Sequence, residues 1–286
     1  MLVRFKFQSY LDSDGQYVKI YTDSVFPSLK STHQKSTRLI MSQLSELCDV
    51  AEQKTCSGRW SKLDPKTTPS GFLLKQKKAW LNETKKGSEI RHPDNLDRIE
   101  AREILLEGLS KVKGGILAPY QLIQQLKKGG SSANDQVIQA QWNSMVEQTK
   151  KNIKSYIMEC RIKAAEAAGT PIEDIPEVTD EDIEEVLAMI DVSPSMEADA
   201  GKGFSCMDLS ISLGIVASEL NTGPFKNMAL SYSSEPRLFH FVHVDGREYT
   251  LREKYTEIKR YMGYTTDIGK AMDLVISVAT ANKIPQ

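Results

Sequence analysis

The residues with the clearest potential for chemistry are Asp191, Ser193 and Ser195, which alternate through the segment D-V-S-P-S. They directly follow Val186 to Ile190, an apolar run typical of a strand buried on both faces of a parallel sheet. Residues two apart in extended backbone point to the same side, so one carboxylate and two hydroxyls can converge where open α/β sheets bind ligands. Hard oxygen ligands of low total charge suit Mg²⁺. The segment therefore predicts a magnesium site, although an ordinary aspartate-containing turn can have the same pattern.

A second candidate is a basic cluster around one tryptophan, formed by Lys77, Lys78, Trp80, Lys85 and Lys86. Basic residues interleaved with an aromatic ring can hold an RNA backbone and stack a base. The alternative, which we favour, is a solvated helix face whose tryptophan belongs to the core.

Motifs for catalysis are absent from the sequence. It contains neither a G-x-S-x-G elbow nor an H-E-x-x-H helix. Ser193 also stands where a D-x-D nucleophile loop needs its second aspartate. With no nucleophile and base at a recognisable spacing, the sequence favours a protein that is not an enzyme, and a hydrolase ranks third after protein binding and RNA binding.

The elements around the D-V-S-P-S segment alternate between strand and helix patterns. Their order is typical of an open α/β sheet. After the apolar run, the pattern predicts a helix over 206–220, strands over 228–232 and 238–242, and helices over 249–261 and 268–281.

The region before this sheet has helical periodicity and a hairpin-like start. Alternating residues around Asp14-Gly15 predict a β-hairpin within residues 1–30. Apolar stripes then predict helices near 39–50, 99–109, 117–126 and 134–160, the second of them capped by Asp94 or Asn95.

Bulk composition limits the classes of partner and compartment. The net charge of −1 argues against electrostatic binding of nucleic acid or of an acidic membrane by the protein surface as a whole. The N-terminus is not a signal peptide, and no apolar run reaches the roughly 18 residues of a membrane span. The four cysteines form no C-x-x-C pair, which favours free thiols in a reducing compartment. We therefore expect the cytoplasm, with the nucleus as the alternative, and no membrane partner.

The D-x-S-x-S segment resembles the opening of the metal-ion-dependent adhesion site (MIDAS) of the von Willebrand factor A family. In that family a second loop supplies a threonine in front of a helix. The resemblance implies that Thr266 is this ligand, with Thr265 as the fallback. The alternative is that Thr266 or Asp267 caps the helix beginning at Ile268.

The wider chain resembles the DUF2828 family, uncharacterised eukaryotic and large-virus proteins that couple a helical region to a von Willebrand factor A-like domain. Their domain order is similar to that of the Ro (TROVE) ribonucleoprotein, which binds small RNAs. The resemblance rests on stretches in both halves of the chain, namely Arg98 to Leu109, Ile116 to Tyr120, Gln141-Trp142, Ile190 to Met196, Ile211 to Gly214 and Thr266 to Ile276.

One departure from the von Willebrand pattern concerns the third metal loop. The family carries an aspartate after its fourth strand, whereas this sequence ends at Gln286, where that strand would begin. We therefore expect a fragment whose sheet domain is truncated before its fourth strand, and a metal ion that is held weakly or lost.

The predicted fold class is α+α/β, a helical N-terminal domain followed by a partial von Willebrand factor A-like (Rossmann-type) open sheet. The predicted function is Mg²⁺- or Mn²⁺-dependent binding of a protein that offers an acidic side chain, or a scaffold role. Asp191, Ser193, Ser195 and Thr266 are the predicted ligands, and RNA binding by the basic helical domain is the alternative. The predicted divisions are a hairpin segment at 1–30, a helical domain at 31–168, an acidic linker at 169–185 and the sheet domain at 186–286.

Overall fold

A computed structural model describes residues 50–281, except Lys86, Ser88, Thr170, Lys202, Ser234, Met262 and 264–266. The predicted hairpin of residues 1–30 and most of the first predicted helix lie outside the described residues. Contacts along the chain divide it into two units, residues 1–60 and 61–286. In the first unit the described residues form α1 (Ala51–Cys56).

The second unit begins with four helices, whose ends follow local sequence signals. Asn95 caps the second of them by accepting the N–H of Arg98, and Pro119 occupies the first turn of the third. Ser131 caps the fourth, which ends at Gly169 in the left-handed conformation with φ of 68°. The four helices are α2 (Ser70–Trp80), α3 (Leu96–Glu107), α4 (Pro119–Lys127) and α5 (Ser132–Ala168).

A mixed sheet of three strands follows, in the spatial order β1-β2-β3. β1 (Ala188–Asp191) pairs in parallel with β2 (Met228–Tyr232), and β2 pairs antiparallel with β3 (Leu238–His240). The crossover between the parallel strands contains α6 (Cys206–Leu220). Two more helices follow the sheet, α7 (Leu251–Arg260) and α8 (Ile268–Ala281).

One hydrophobic core runs through the second unit. It joins side chains of the helical layer, such as Leu122 and Trp142, to Ile190 of β1, Ile215 of α6 and Phe241 after β3. Gly214 lets α6 approach the sheet, because a Cβ at this position would lie 2.3 Å from Ile190 Cγ1. The helical layer and the sheet therefore bury part of their apolar surface against each other.

The mixed helix and sheet composition confirms the coarse fold prediction. The bounds of α6, β2 and α8 match the predicted ones. β1 begins two residues later than the apolar run, because the Asn221 side chain binds both the N–H and the carbonyl of Val186 at 3.0 and 2.7 Å. β3 ends at His240, two residues before the predicted end, although the N–H of Phe241 still donates to the carbonyl of Asn227, the residue opposite it in the register of β2 and β3.

The predicted linker of residues 169–185 contains a single 3-10 turn at Ile172–Asp174. Two of its carboxylates form ion pairs with α5, Asp180 with Lys154 and Asp182 with Arg161. The division of the chain into the predicted domains stays a prediction. Along the described stretch of the chain, no helix has the length and apolar character needed to cross a membrane.

Candidate metal-binding site

The D-V-S-P-S segment lies at the carboxyl end of the parallel strand pair. Asp191 is the last residue of β1 and lies opposite Tyr232, the last residue of β2. Ser193 is extended, with φ of −67° and ψ of 152°, and a 3-10 turn over Pro194–Glu197 follows it. A proline restricts the residue before it to extended backbone, so Pro194 explains both the conformation of Ser193 and the start of the turn.

The three candidate ligands are close together, as the alternation predicts. Asp191 Oδ1 accepts the backbone N–H of Ser193 at 2.9 Å, and Ser193 Oγ lies 3.0 Å from Ser195 Oγ. Ser193 is buried at 6% exposure, Asp191 is half-buried and Ser195 is exposed. The exposure of the three residues therefore increases from Ser193 through Asp191 to Ser195.

The spacing of the two hydroxyls is compatible with neighbouring ligands of a small divalent cation. Two neighbouring ligands of an octahedral Mg²⁺ with bonds of about 2.1 Å are about 3.0 Å apart, which is the separation of the two hydroxyls. A cluster of three or more histidine, cysteine or acidic side chains is absent from the described residues, so a metal here would rely on hydroxyls and water. A simpler role is available to Asp191 as well, because its bond to the Ser193 N–H by itself forms an Asx turn that ends the strand.

Further carboxylates lie near this loop on α6 and on the turn itself. Asp208 is fully buried and accepts the Lys127 ammonium at 2.8 Å, while Glu197 binds Lys259 of α7 at 2.7 Å. Burial, together with the charges of Asp208 and Glu197, raises the pKa of Tyr255 on α7. The charges of Asp208 and Glu197 are therefore each balanced by a lysine.

The fourth predicted ligand, Thr266, and its fallback Thr265 lie outside the described residues. On one side of them, Gly263 packs against the end of β2, where a Cβ would lie 2.5 Å from Ser233 Cβ. On the other side, Asp267 Oδ1 accepts the N–H of Lys270 at 3.1 Å. The prediction that Thr266 or Asp267 caps the last helix is therefore confirmed for Asp267.

The basic cluster around Trp80 is not a stacking platform in this structure. Trp80 is fully buried, and its indole N–H donates to the Ala101 carbonyl at 2.9 Å. Lys77 is also buried, and its ammonium binds the Leu74 carbonyl and Gln125 Oε1. Lys78 is half-buried and its ammonium donates to the Lys85 carbonyl at 3.1 Å, whereas Lys85 is exposed and Lys86 lies outside the described residues. The alternative prediction, a core tryptophan, is confirmed.

Two features of the second unit were not found from the sequence. One is a buried network in which Glu219 accepts both the Trp142 indole and the Lys254 ammonium. The other is a stripe of amide side chains on α5, including Gln136, Gln139 and Asn143. The stripe has a sequence signal, polar amides at i, i+3 and i+7, but a solvated helix face has the same pattern.

Comparison with known proteins gives a family match over the sheet region. Residues 185–286 match the model of DUF7788, a domain of unknown function. No match to DUF2828 or to a von Willebrand factor A-like family accompanies it, so the assignment to DUF2828 is wrong, as is the comparison with Ro that rested on it. The physical reason is that a D-x-S-x-S segment after a buried strand, and helices without a distinctive motif, occur in many unrelated proteins. Such features do not identify a family.

A viral protein is similar along most of the chain. This protein, the uncharacterized protein L728 of Acanthamoeba polyphaga mimivirus, is 23% identical over 269 residues, which are 93% of this chain and 40% of the viral protein. The chain thus spans about two fifths of the length of this relative, and the similarity runs through both the helical layer and the sheet. No solved structure matches.

Proposed function

We propose that the sheet region is a cation-dependent protein-binding module. Its metal, Mg²⁺ or Mn²⁺, is held by Asp191, Ser193 and Ser195, with Thr266 as a further ligand. The partner is a protein that offers an acidic side chain, and the role is binding or scaffolding without catalysis.

The observation that carries this proposal is the convergence of three oxygen ligands at the end of β1. The two hydroxyls are 3.0 Å apart, and Asp191 is oriented by its bond to the Ser193 N–H. Open α/β sheets bind ligands at this edge. For the architecture we propose an open sheet of the von Willebrand factor A type, supported by the parallel β1–β2 pair joined through α6.

Each residue has a distinct task in this proposal. Asp191 supplies the negative charge that attracts the cation, directly or through water. Ser193 and Ser195 supply neutral oxygens, which leave the bound ion with excess positive charge. A bound Mg²⁺ would supply a Lewis-acidic position for a carboxylate of the partner. Because hydroxyls replace carboxylates in the ligand set, the loop favours an acidic ligand from outside the chain.

We also infer a reducing compartment, the cytoplasm. Cys56 and Cys160 are exposed free thiols and Cys206 is a half-buried one. Exposed thiols persist where glutathione keeps them reduced.

Calorimetric titration of Mg²⁺ and Mn²⁺ into the protein tests the metal site. Saturable binding is expected in the wild type, loss of it in Asp191→Ala, and a decrease in affinity of about tenfold in Ser195→Ala. Asp245→Ala is the matched control, because Asp245 Oδ1 accepts the N–H of Arg247 at 3.0 Å in the same way as Asp191 accepts that of Ser193. Circular dichroism verifies the fold of each variant.

The control separates the metal site from a simple Asx turn. Equal metal binding by the wild type and Asp191→Ala, or no binding by the folded wild type, would refute the proposal. Selection of displayed peptides in Mg²⁺, with release by a chelator, tests the acidic partner. Enrichment of aspartate or glutamate is expected, and released peptides without carboxylates would contradict the proposed ligand chemistry.

A further inference from the structure

β1 lies at one edge of the three-stranded sheet. It pairs with β2 along one side, and no strand within the described residues pairs with its other side. Every second residue of an edge strand presents an unpaired N–H and carbonyl to that side. The Asn221 side chain binds the N–H and the carbonyl of Val186, so the open part of the edge begins after this residue. The edge therefore offers hydrogen bonds that a further strand can complete.

The features that protect exposed edges in other proteins are absent from this one. Native proteins block such edges with lysine, proline or a bulge. Residues 186–190 are Val-Leu-Ala-Met-Ile, with no charge and no proline. The register of β1 with β2 runs without a bulge from Ala188 to Asp191. The edge is therefore suited to pairing with a further strand.

The orientation of α6 follows from two contacts with the sheet. Gly214 lies against β1, because a Cβ at this position would lie 2.3 Å from Ile190 Cγ1. The Ser218 carbonyl accepts the N–H of Asn227, the residue before β2, at 2.8 Å. The side of α6 that contains Ser218 is therefore turned toward β2.

The opposite flank of α6 exposes apolar side chains above the free edge. Successive residues of a helix are rotated by about 100° around its axis. Leu213 therefore points about 100° away from Gly214, in the direction opposite to Ser218 and to the fully buried Ile215. Leu209 lies one turn earlier on the same flank, and the two leucines are 36% and 51% exposed at positions 209 and 213. This flank is on the side of α6 away from β2, where the edge of β1 is open.

The other face of β1 is also partly uncovered. Ile190 points toward α6, so Met189, which precedes it in the strand, points to the opposite face. Met189 is 39% exposed. A strand added at this edge therefore meets apolar side chains on both of its faces, as strands inside an open α/β sheet do.

The charges around the edge indicate the chemistry of the added strand. Glu184 and Glu185 precede β1, and Asp191 ends it. Residues 173–185 contain eight acidic residues and no basic one, and two of these carboxylates form ion pairs with α5. A second copy of this chain would bring the same acidic segment to the sheet, and like charges repel. The edge therefore favours another protein whose apolar strand is flanked by lysine or arginine.

We propose that the free edge of β1 binds an extended apolar segment of another protein, flanked by basic residues, as an additional strand, independently of the metal-binding loop. The backbone of β1 supplies the hydrogen bonds, as in other cases of strand addition. Leu209, Leu213 and Met189 contact the side chains of the added strand. Because β1 has four residues, about four residues of the partner pair with it.

Selection from a library of random dodecapeptides, carried out on the full chain in the presence of EDTA, tests this proposal. The chelator removes any contribution of the metal-binding loop, so the two proposals can fail separately. Enriched peptides are then titrated against the wild type, Leu213→Lys and Met189→Lys, whose folds are verified by circular dichroism. Val244→Lys is the matched control, because Val244 is an exposed apolar residue of the turn after β3 and takes no part in this surface.

Peptides with a single N-methylated residue test the strand pairing itself. Only alternate N–H groups of an added strand face β1. N-methylation should therefore weaken binding at every second residue and leave it unchanged at the residues between them. A peptide that is held by its side chains alone would lack this alternation.

The expected peptides have an apolar centre and basic ends. Leu213→Lys and Met189→Lys should each weaken them by about tenfold or more, whereas Val244→Lys and Ser195→Ala leave their affinity unchanged. The proposal is overturned if no peptide is enriched, if N-methylation has no alternating effect, or if the two lysine variants bind as tightly as the control. Sedimentation of the protein alone tests the choice of partner, because a dimer that Leu213→Lys dissociates would show that a second copy occupies the edge.

Discussion

Two buried tryptophan–lysine pairs in the second unit resemble each other in composition but differ in electrostatics. Trp80 and Lys77 lie in the helical layer, and Trp142 and Lys254 lie between that layer and α6 and α7. All four side chains are at most 3% exposed. The difference is the partner of each ammonium group, which is neutral for Lys77 and charged for Lys254.

The neutral partners of Lys77 are the Leu74 carbonyl and Gln125 Oε1 at 3.1 and 2.7 Å. Burial, helped by the nearby charges of Lys128 and Lys78, lowers the pKa of Lys77 to about 8. Lys254 instead binds Glu219 Oε1 at 2.6 Å and Asn227 Oδ1 at 3.1 Å, and Glu219 also accepts the Trp142 indole at 2.8 Å. Burial of the Lys77 ammonium therefore destabilises the folded protein, whereas the Lys254 ammonium, through Glu219, links α5, α6 and α7.

The largest effect is expected from Lys254→Met. This variant leaves the Glu219 carboxylate, 15% exposed, without its cation, and should lower the free energy of unfolding by about 3 to 5 kcal/mol. Urea denaturation at pH 7 measures the change. Lys259→Met is the matched control on the same helix, because its ion pair with Glu197 is more exposed and should contribute at most about 1 kcal/mol.

Equal losses in Lys254→Met and Lys259→Met would mean that the bridge through Glu219 does not stabilise the contact of the three helices. Adding Glu219→Gln to Lys254→Met sharpens the comparison. The double variant should recover part of the loss, because it removes the unpaired charge.

A gain in stability is expected from Lys77→Met. The pKa of Lys77 is about 8 in the folded protein and 10.5 for an ordinary lysine, so between these values the unfolded chain binds a proton that the folded chain does not. The free energy of unfolding of the wild type should therefore rise as the pH is increased from about 8 to about 10.5. Below pH 8 the buried ammonium is charged, and its full destabilising effect is present.

Removing this charge should raise the free energy of unfolding at pH 7 by about 2 kcal/mol and flatten its pH dependence in that window. Thermal and urea denaturation at pH 7 and at pH 10 measure both effects. Lys75→Met, at an exposed position of the same helix, is the control. If both variants have the same pH profile, Lys77 is not the group that titrates.

The smallest effect is expected from the indole groups. Trp80→Phe removes a hydrogen bond to a neutral carbonyl, and loss of that bond should lower the free energy of unfolding by about 1 kcal/mol. Trp142→Phe removes a hydrogen bond to a carboxylate, and this loss should lower it by about 2 kcal/mol. Denaturation followed by far-ultraviolet circular dichroism compares the two without relying on tryptophan fluorescence. The reverse order would show that packing, rather than the charge of the acceptor, decides the difference.

Local patterns in the sequence were sufficient to predict most elements of the second unit. The helical spacing of Leu209, Leu213 and Val216 predicted α6, and Asn95 was one of two predicted caps for α3. The alternation of Asp191, Ser193 and Ser195 predicted that their side chains lie close together, as they do. Their role as metal ligands stays a prediction, because proximity alone does not distinguish a metal site from an Asx turn.

Other features depended on contacts between distant residues. The start of β1 is set by Asn221, 35 residues away in the chain. Ser144 and Gln139 of α5 accept the N–H groups of Gly114 and Leu251, which are more than a hundred residues apart in the chain. No periodicity within one element indicates which other element its polar face will meet.

The sequence by itself determined the order of helices and strands, the caps and the spacing of the loop oxygens, because these follow from backbone geometry over a few residues. Only the tertiary structure decided that Trp80 and Lys77 are buried, that Lys254 meets a carboxylate, and that Gln139 of α5 accepts the N–H of Leu251. The reason is that burial and charge pairing are properties of packing between elements, and the same lysine or amide on a helix is solvated or enclosed according to what folds against it.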